Sequence, residues 1–188
     1  MPGDAEATKL RLLDAARDEF AAYGIAGGRV DRIAEAAQAN KAQIYHYFGS
    51  KDGLFNAVFD RMVQRTLSEV PIDTADLGEY AGKLFDGYEA DPTVQRLATW
   101  HRLERGTESA PIPLVTKSFQ DKVDAIAKAQ RAGALPKTFA ATDLLAIVLQ
   151  LSGMWSGLTP EFEPAVVKHS RAHRRRVVVA AVRAVLAA

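Results

Sequence analysis

The chain has 188 residues, a formal net charge of +1 and 48% hydrophobic residues, which suits one folded domain or two coupled ones. It contains no cysteine, so disulfides, thiolate metal sites and cysteine nucleophiles are excluded. The near-neutral charge gives no general support for nucleic-acid binding.

Helical periodicity dominates the chain and predicts an all-α fold of about nine helices. The first helix is predicted over 8–24, and an apolar face at helical spacing predicts the second over 30–37. Asn40 is placed to cap a third helix over 41–48, and Ser50 to cap a fourth. The second and third helices, joined by a tight turn, are typical of a helix-turn-helix.

Pro71 ends the fourth helix, and a loop is predicted over 108–113. Five further helices are predicted, at about 75–90, 91–106, 114–132, 141–157 and 164–187. We therefore expect a helix-turn-helix domain over 1–50 and a second domain over 51–188, with the fourth helix, about 51–70, as the linker. The acidic N-terminus is no signal peptide and no apolar run is long enough to cross a bilayer, so a cytoplasmic protein is expected.

The stretch NKAQIYHYFGSK, over 40–51, is rich in polar-tipped rings. On a helix, Ile44 and Phe48 share the side that must be buried, and the opposite side carries Gln43, Tyr45 and His46. Such a face suits a recognition helix in the major groove, because an amide can bond an adenine edge twice and Tyr or Lys can hold phosphates.

The stretch VDRIAEAAQANKAQIYHYFGSKDGLFNAVF resembles the DNA-binding domain of the TetR family of transcriptional regulators. The resemblance implies that Lys41, Tyr45, Tyr47 and Lys51 contact the DNA backbone, and that Ala42, Gln43 and His46 lie among the base readers. The sequence departs from the family where Gln38 replaces a frequent glycine in the turn. It departs again at Gly28 and Arg29, which replace a usual Thr/Ser pair; Arg29 is expected to supply the missing phosphate contact.

The resemblance further implies a homodimer on a palindromic operator and a small-molecule effector, in a regulator that is a repressor by default. Wide apolar coverage of the last two helices indicates burial on two sides, by the chain's own core and by a second subunit. The expected interface residues are Leu145, Leu149, Ser152, Gly153, Ser156, Val178, Ala181, Val182 and Val185.

An effector pocket is predicted where ionisable groups occur on a face that should point inward. Trp100, His101 and Glu104 carry this prediction, and an aromatic or apolar effector would suit the surrounding rings. The expected lining residues are Phe85, Tyr88, Trp100, His101, Glu104, Phe119, Met154 and Trp155. The alternatives are a partly exposed pair at a helix edge, a helical enzyme that uses His101 and Glu104, or a ligand-free dimeric DNA-binding scaffold.

His169 and His173 are spaced to share one helix face, as two metal ligands can. No acidic residue follows Glu163, so the basic run KHSRAHRRR is interpreted as a solvated face or as a surface for acids of a partner subunit. No metal and no cofactor are predicted, and no nucleophile is flanked by a base in a recognisable pattern, so an enzyme is not expected.

Overall fold

The computed structural model describes residues 4–105 and 111–187. Over these ranges the chain forms ten α-helices and no strand, which confirms the predicted all-α class. The helices are α1 (Asp4–Gly27), α2 (Val30–Ala36), α3 (Lys41–Phe48), α4 (Lys51–Glu69), α5 (Leu77–Ala90), α6 (Thr93–Arg105), α7 (Pro113–Arg131), α8 (Ala141–Ser152), α9 (Glu163–Val166) and α10 (Arg171–Ala187).

Two compact units divide the chain. The N-terminal unit comprises Met1–Arg65 and Thr93–Leu114, and the C-terminal unit comprises Thr66–Pro92 and Val115–Ala188. This division differs from the predicted boundary after residue 50, because α6 groups with the N-terminal helices. The reason is that Leu97 of α6 is fully buried and Trp100 Nε1 donates to the α1 carbonyl oxygen of Ala21 at 3.3 Å.

The N-terminal unit buries apolar residues from each of its helices. Phe20 of α1 and Phe55 of α4 are fully buried, and their rings meet edge to face with centroids 5.5 Å apart. Helix α1 is broken at Gly24, where φ is 75° and ψ is −178°, a conformation open to glycine alone. The predicted end of the first helix therefore coincides with a break, after which one more turn reaches Gly27.

The C-terminal unit has a separate core built from α5, α7, α8 and α10. Its buried residues include Tyr80, Phe85, Ile126, Leu144 and Val178. Helices α5 and α10 pack closely at two α5 glycines: a Cβ at Gly78 would lie 2.9 Å from Arg183, and one at Gly82 would lie 2.9 Å from Val179. Small residues one turn apart let the two backbones approach each other.

The closing helices are shorter than predicted. Helix α8 ends at Ser152 instead of 157, where the Ser152 hydroxyl donates to the Val148 carbonyl at 2.7 Å and Gly153 follows. The predicted helix over 164–187 is two helices, because the Ser170 hydroxyl caps α10 by accepting the His173 N–H at 3.2 Å. Residues 108–110 of the predicted loop lie outside the described residues.

The prediction that His169 and His173 share a helix face is wrong, because His169 precedes α10. Their rings still lie 4.5 Å apart. Among the described residues no group of three or more potential metal ligands occurs.

Two arginines of the basic run do not lie on a free surface as expected, and neither does Arg183 further along α10. Arg175 Nε donates to Asp86 at 2.7 Å, Arg174 donates to Glu89 at 3.0 Å, and Arg183 pairs with Asp76 at 2.7 Å. These acids all lie on α5 or at its N-cap, so the arginines join two helices of the same chain.

Candidate nucleic-acid interface

The third helix, α3, is fixed at its start by a reciprocal cap. The Asn40 side chain accepts the Ala42 N–H at 2.9 Å, and Gln43 Oε1 accepts the Asn40 N–H at 2.9 Å. This capping box satisfies two backbone donors that a helix start leaves without partners. The predicted cap at Asn40 and the predicted range 41–48 are both confirmed.

The end of α3 is fixed just as firmly. Gly49, with φ at 74°, closes the helix through its N–H to the Tyr45 carbonyl at 2.9 Å. Ser50 then caps α4, as predicted, by accepting the Gly53 N–H at 2.9 Å. Specific hydrogen bonds hold both ends of α3. They fix the rotation of the helix about its own axis, and therefore the face that it presents.

The turn from α2 to α3 depends on an unusual residue. Gln38 has φ at 50°, in the left-handed region that glycine favours. Its N–H donates to the Glu35 carbonyl at 3.0 Å, and the Ala39 N–H donates to the Ala34 carbonyl at 2.9 Å. These two bonds form a Schellman motif, so the turn keeps the geometry that glycine provides in the family, at the cost of strain in Gln38.

The exposed face of α3 carries most of the predicted contact residues. Ile44 is fully buried and Tyr45 is 47% exposed. Lys41, Ala42 and His46 are also exposed, whereas Gln43 and Tyr47 are half-buried. The structure therefore brings Lys41, Ala42, Gln43, Tyr45, His46 and Tyr47 together on or beside one surface.

The basic residues near this face differ in what they already contact. Lys41 pairs with Asp31 at 2.7 Å, and its ammonium, by hydrogen bonding, holds the pKa of that carboxyl below its usual range. Both side chains are about half exposed, so a phosphate could compete for Lys41 with little loss. Arg29 is exposed at the N-cap of α2, where its side chain makes no cap bond.

Lys51 binds backbone carbonyls of its own chain. Its ammonium donates to the carbonyl oxygens of Ala26 and Gly28, at 3.1 and 3.2 Å. These carbonyls end α1 and precede α2, where a cation is favoured by the helix dipole. Lys51 thus ties the start of α4 to the end of α1.

Three charged residues that the sequence reasoning missed hold α2 in place. The Arg11 guanidinium donates to the Ala37 carbonyl at 3.1 Å. Glu19 accepts the Arg29 N–H at 2.8 Å and also binds Arg32. Burial opposes ionisation of Glu19, but its bonds to Arg32 and Arg29 prevail and lower its pKa. Their spacing in the sequence gives no signal of these pairings.

The tentative pocket residues do not share one unit. In the N-terminal unit, Glu104 accepts the Ala26 N–H at 2.6 Å, and His101 stacks on Phe59 with centroids 4.8 Å apart. Glu104 and Trp100 therefore contact α1, and His101 contacts α4. In the C-terminal unit, Phe85 is buried, Tyr88 and Trp155 are half-buried, and Phe119 and Met154 are exposed.

The comparisons with known proteins decide the family. The model for "Bacterial regulatory proteins, tetR family" matches residues 12–58, and that for "Tetracyclin repressor-like, C-terminal domain" matches residues 76–184. The chain belongs to the TetR family of transcriptional regulators. This TetR-family protein is a DNA-binding transcriptional regulator and not an enzyme.

Individual relatives agree over most of their length. The chain is 36% identical to the HTH-type transcriptional repressor SCO4008 of Streptomyces coelicolor over 87% of this chain and 85% of that protein. It is 30% identical to the HTH-type transcriptional repressor NicS of Pseudomonas putida over 54% of this chain and 51% of that protein. The crystal structure of SCO4942 from Streptomyces coelicolor superposes with a TM-score of 0.82 and 39% identity, over 93% of this chain and 96% of that one.

Members of the TetR family bind operator DNA, form dimers and bind small-molecule ligands. In this chain, no helix within residues 4–105 and 111–187 is long and apolar enough to cross a membrane. Of the nine expected interface residues, Leu145, Val178, Val182 and Ser152 are 3% exposed or less. Those four are buried in the C-terminal unit itself, whereas five keep some exposure: Leu149, Gly153, Ser156, Ala181 and Val185.

Proposed function

We propose that this regulator is a repressor that binds a palindromic operator as a homodimer, with α3 of each protomer in the major groove. The observation that carries this proposal is the outer face of α3, held between the Asn40 cap and the Gly49 turn. A short helix fixed at both ends can insert a set of side chains into the groove without first becoming ordered.

Base reading is assigned to Ala42, Gln43 and His46. Exposed His46 and Ala42 lie at the centre of the outer face, one turn apart. Gln43 is more restricted, because its Oε1 accepts the Asn40 N–H and only its Nε2 remains to donate. We therefore expect Gln43 to bond an acceptor such as guanine O6 or thymine O4, instead of bonding adenine twice.

Backbone contacts are assigned to Tyr45, Tyr47, Lys41 and Arg29. Equal numbers of acidic and basic residues occur in the first 65 positions, so attraction to phosphate must come from local placement. Lys51 contributes chiefly by holding α1 and α4 together, and any phosphate contact would use its remaining N–H. A neutral domain with few phosphate contacts should bind with a shallow dependence on salt.

The C-terminal unit is proposed to bind the effector and to dimerise through α8 and α10. Leu149, Ala181 and Val185 are the expected interface residues that keep exposed surface on these helices. An effector that binds one dimer geometry better than the other shifts the population between them, and release from the operator follows. A ligand-free dimeric scaffold is the alternative, and it predicts that no small molecule changes DNA affinity.

The test is selection of bound duplexes from a randomised pool, followed by fluorescence anisotropy with the selected site. We expect a palindrome whose half-sites are one DNA turn apart. The variant His46→Ala should relax preference at one position per half-site by about 1–3 kcal/mol. The control Gln64→Ala changes an exposed residue of α4 and should leave the selected site unchanged. Enrichment of no sequence, or an unaltered site in His46→Ala, would refute this assignment of α3.

A further inference from the structure

Lys122 occupies an unusual place on α7. It lies one turn from Ser118 and one turn from Ile126, on the face that the helix buries. Ser118 is 7% exposed and Ile126 is fully buried, and Lys122 itself is half-buried. A lysine on an inward stripe is rare unless its charge has a partner.

The hydrogen-bond partners of Lys122 among the described residues are both neutral. Its ammonium donates to the hydroxyl and to the carbonyl oxygen of Ser118. No carboxylate of the described residues forms an ion pair with it, and neighbouring Asp121 is paired with Lys117 at 2.6 Å. Burial lowers the pKa of Lys122 from its usual value, although the neighbouring Asp121 carboxylate acts in the opposite direction.

The outward lysine of the same helix shows the contrast. Lys117 is 71% exposed and pairs with an acid, whereas Lys122 is half-buried and does not. An ammonium taken partly out of water without a counter-charge destabilises the folded state. The arrangement is therefore suited to binding an anion.

A buried hydroxyl lies in the core that contains Ile126. Tyr80 is 1% exposed, its hydroxyl has no hydrogen-bond partner within residues 4–105 and 111–187, and it belongs to the same cluster as Ile126 and Phe85. Burial of the phenol raises its pKa, so it stays protonated and able to donate. Buried hydroxyls without partners are uncommon, and a bound ligand is one of the explanations.

We propose that the effector of this regulator is an anion with an apolar or aromatic body, and that Lys122 with Ser118 holds its charged group. The proposal rests on the proposed function, because it names the chemical class of ligand for the C-terminal unit. The apolar body would enter the core beside Ile126, where the Tyr80 hydroxyl can donate to an acceptor on the ligand.

The experiment uses two fluorescent probes with the same aromatic body. 8-Anilinonaphthalene-1-sulfonate carries a sulfonate, and N-phenyl-1-naphthylamine lacks it. Each is titrated into the full-length protein, into Lys122→Met and into the control Lys117→Met, which loses the same charge from the exposed face. Circular dichroism verifies the fold, and anisotropy of the selected operator reports release.

We expect Lys122→Met to weaken binding of the sulfonate by about tenfold or more, the loss of one charge-assisted contact. Binding of the neutral probe should change by less than about twofold. Lys117→Met should bind both probes as the unchanged protein does. Lys122→Met should also unfold at a higher temperature than the unchanged protein when no ligand is present, because an unpaired cation has been removed.

The possible negative results distinguish the anion site at Lys122 from the proposed binding of an effector by the C-terminal unit. If Lys122→Met binds both probes as the unchanged protein does, the anionic effector is refuted and ligand binding by the C-terminal unit stands. If Lys117→Met loses the sulfonate equally, the attraction is a general surface effect and the site at Lys122 is refuted. If neither probe binds to any form of the protein, the anion site at Lys122 is refuted.

Discussion

In the N-terminal unit, three long polar side chains bind backbone groups of other helices, whereas in the C-terminal unit arginines of α10 pair with carboxylates of α5. Lys51, Arg11 and Glu104 each bind a carbonyl or an N–H near a helix end. Arg174 and Arg175 instead bind carboxylates of α5, and the core of the same unit contains the Tyr80 phenol, which has no hydrogen-bond partner in the part of the chain that the structure describes.

The difference follows from what each unit is proposed to do. A DNA reader needs its helices at fixed angles, and bonds to backbone ends fix both position and rotation. A ligand-binding unit needs polar groups that the free protein does not satisfy, since groups already paired have nothing to offer a ligand. Four changes can break or sharpen this comparison.

Gly24→Ala should have the largest effect. A side chain at this φ of 75° is strained, and its Cβ would lie 2.9 Å from the Trp100 ring. We expect the free energy of unfolding to fall by about 3 kcal/mol or more, measured by urea denaturation. Gly27→Ala is the control, because its Cβ would meet only Tyr23 at 3.4 Å. Equal losses in both variants would show that the contact with α6 is unimportant.

Lys51→Met should have the next largest effect. Loss of two bonds to carbonyl oxygens should lower the free energy of unfolding by about 1–2 kcal/mol. Lys41→Met removes only an exposed ion pair and should stay within about 0.5 kcal/mol of the unchanged protein. In DNA binding the order should reverse, with Lys41→Met flattening the salt slope by about one unit. A stable Lys51→Met with a flattened slope would return Lys51 to the phosphate contacts.

Tyr80→Phe should stabilise the protein, whereas the two changes above destabilise it. Removal of a buried hydroxyl that lacks a partner should raise the free energy of unfolding by about 1 kcal/mol. Tyr23→Phe changes a ring that is 53% exposed and should leave the free energy of unfolding unchanged within error. Thermal unfolding of both variants measures this difference in stability. A destabilised Tyr80→Phe would mean that the hydroxyl does have a partner in solution.

Gln38→Gly should give the smallest gain. Glycine relieves the strain of φ at 50°, while its added freedom in the unfolded chain opposes the gain. The net rise in the free energy of unfolding should be about 0.5 kcal/mol. The Ala39→Gly variant provides the control, because it adds the same freedom without relieving strain at residue 38 and should destabilise. If both variants lose stability, the turn is not strained.

Local signals in the sequence determined the bounds of α3. Asn40, Gly49 and Ser50 act on residues within one turn, so the caps and the range 41–48 follow from spacing alone. The same short-range chemistry and the motif around Tyr45 identified the family. The predicted bounds of the closing helices were less accurate. Serine can lie within a helix or end one, and at Ser152 and Ser170 the neighbouring residues decide between the two.

Tertiary structure alone decided which polar groups meet across long sequence separations. Glu104 binds the N–H of Ala26, 78 positions away, and Arg175 binds Asp86, 89 positions away; no periodicity encodes such pairs. It also placed α6 with the DNA-binding helices and left Lys122, among the described residues, without a carboxylate at ion-pair distance. Helices and their ends follow from residues a few positions apart. The partners of a charge depend on where packing of the apolar faces brings distant helices together.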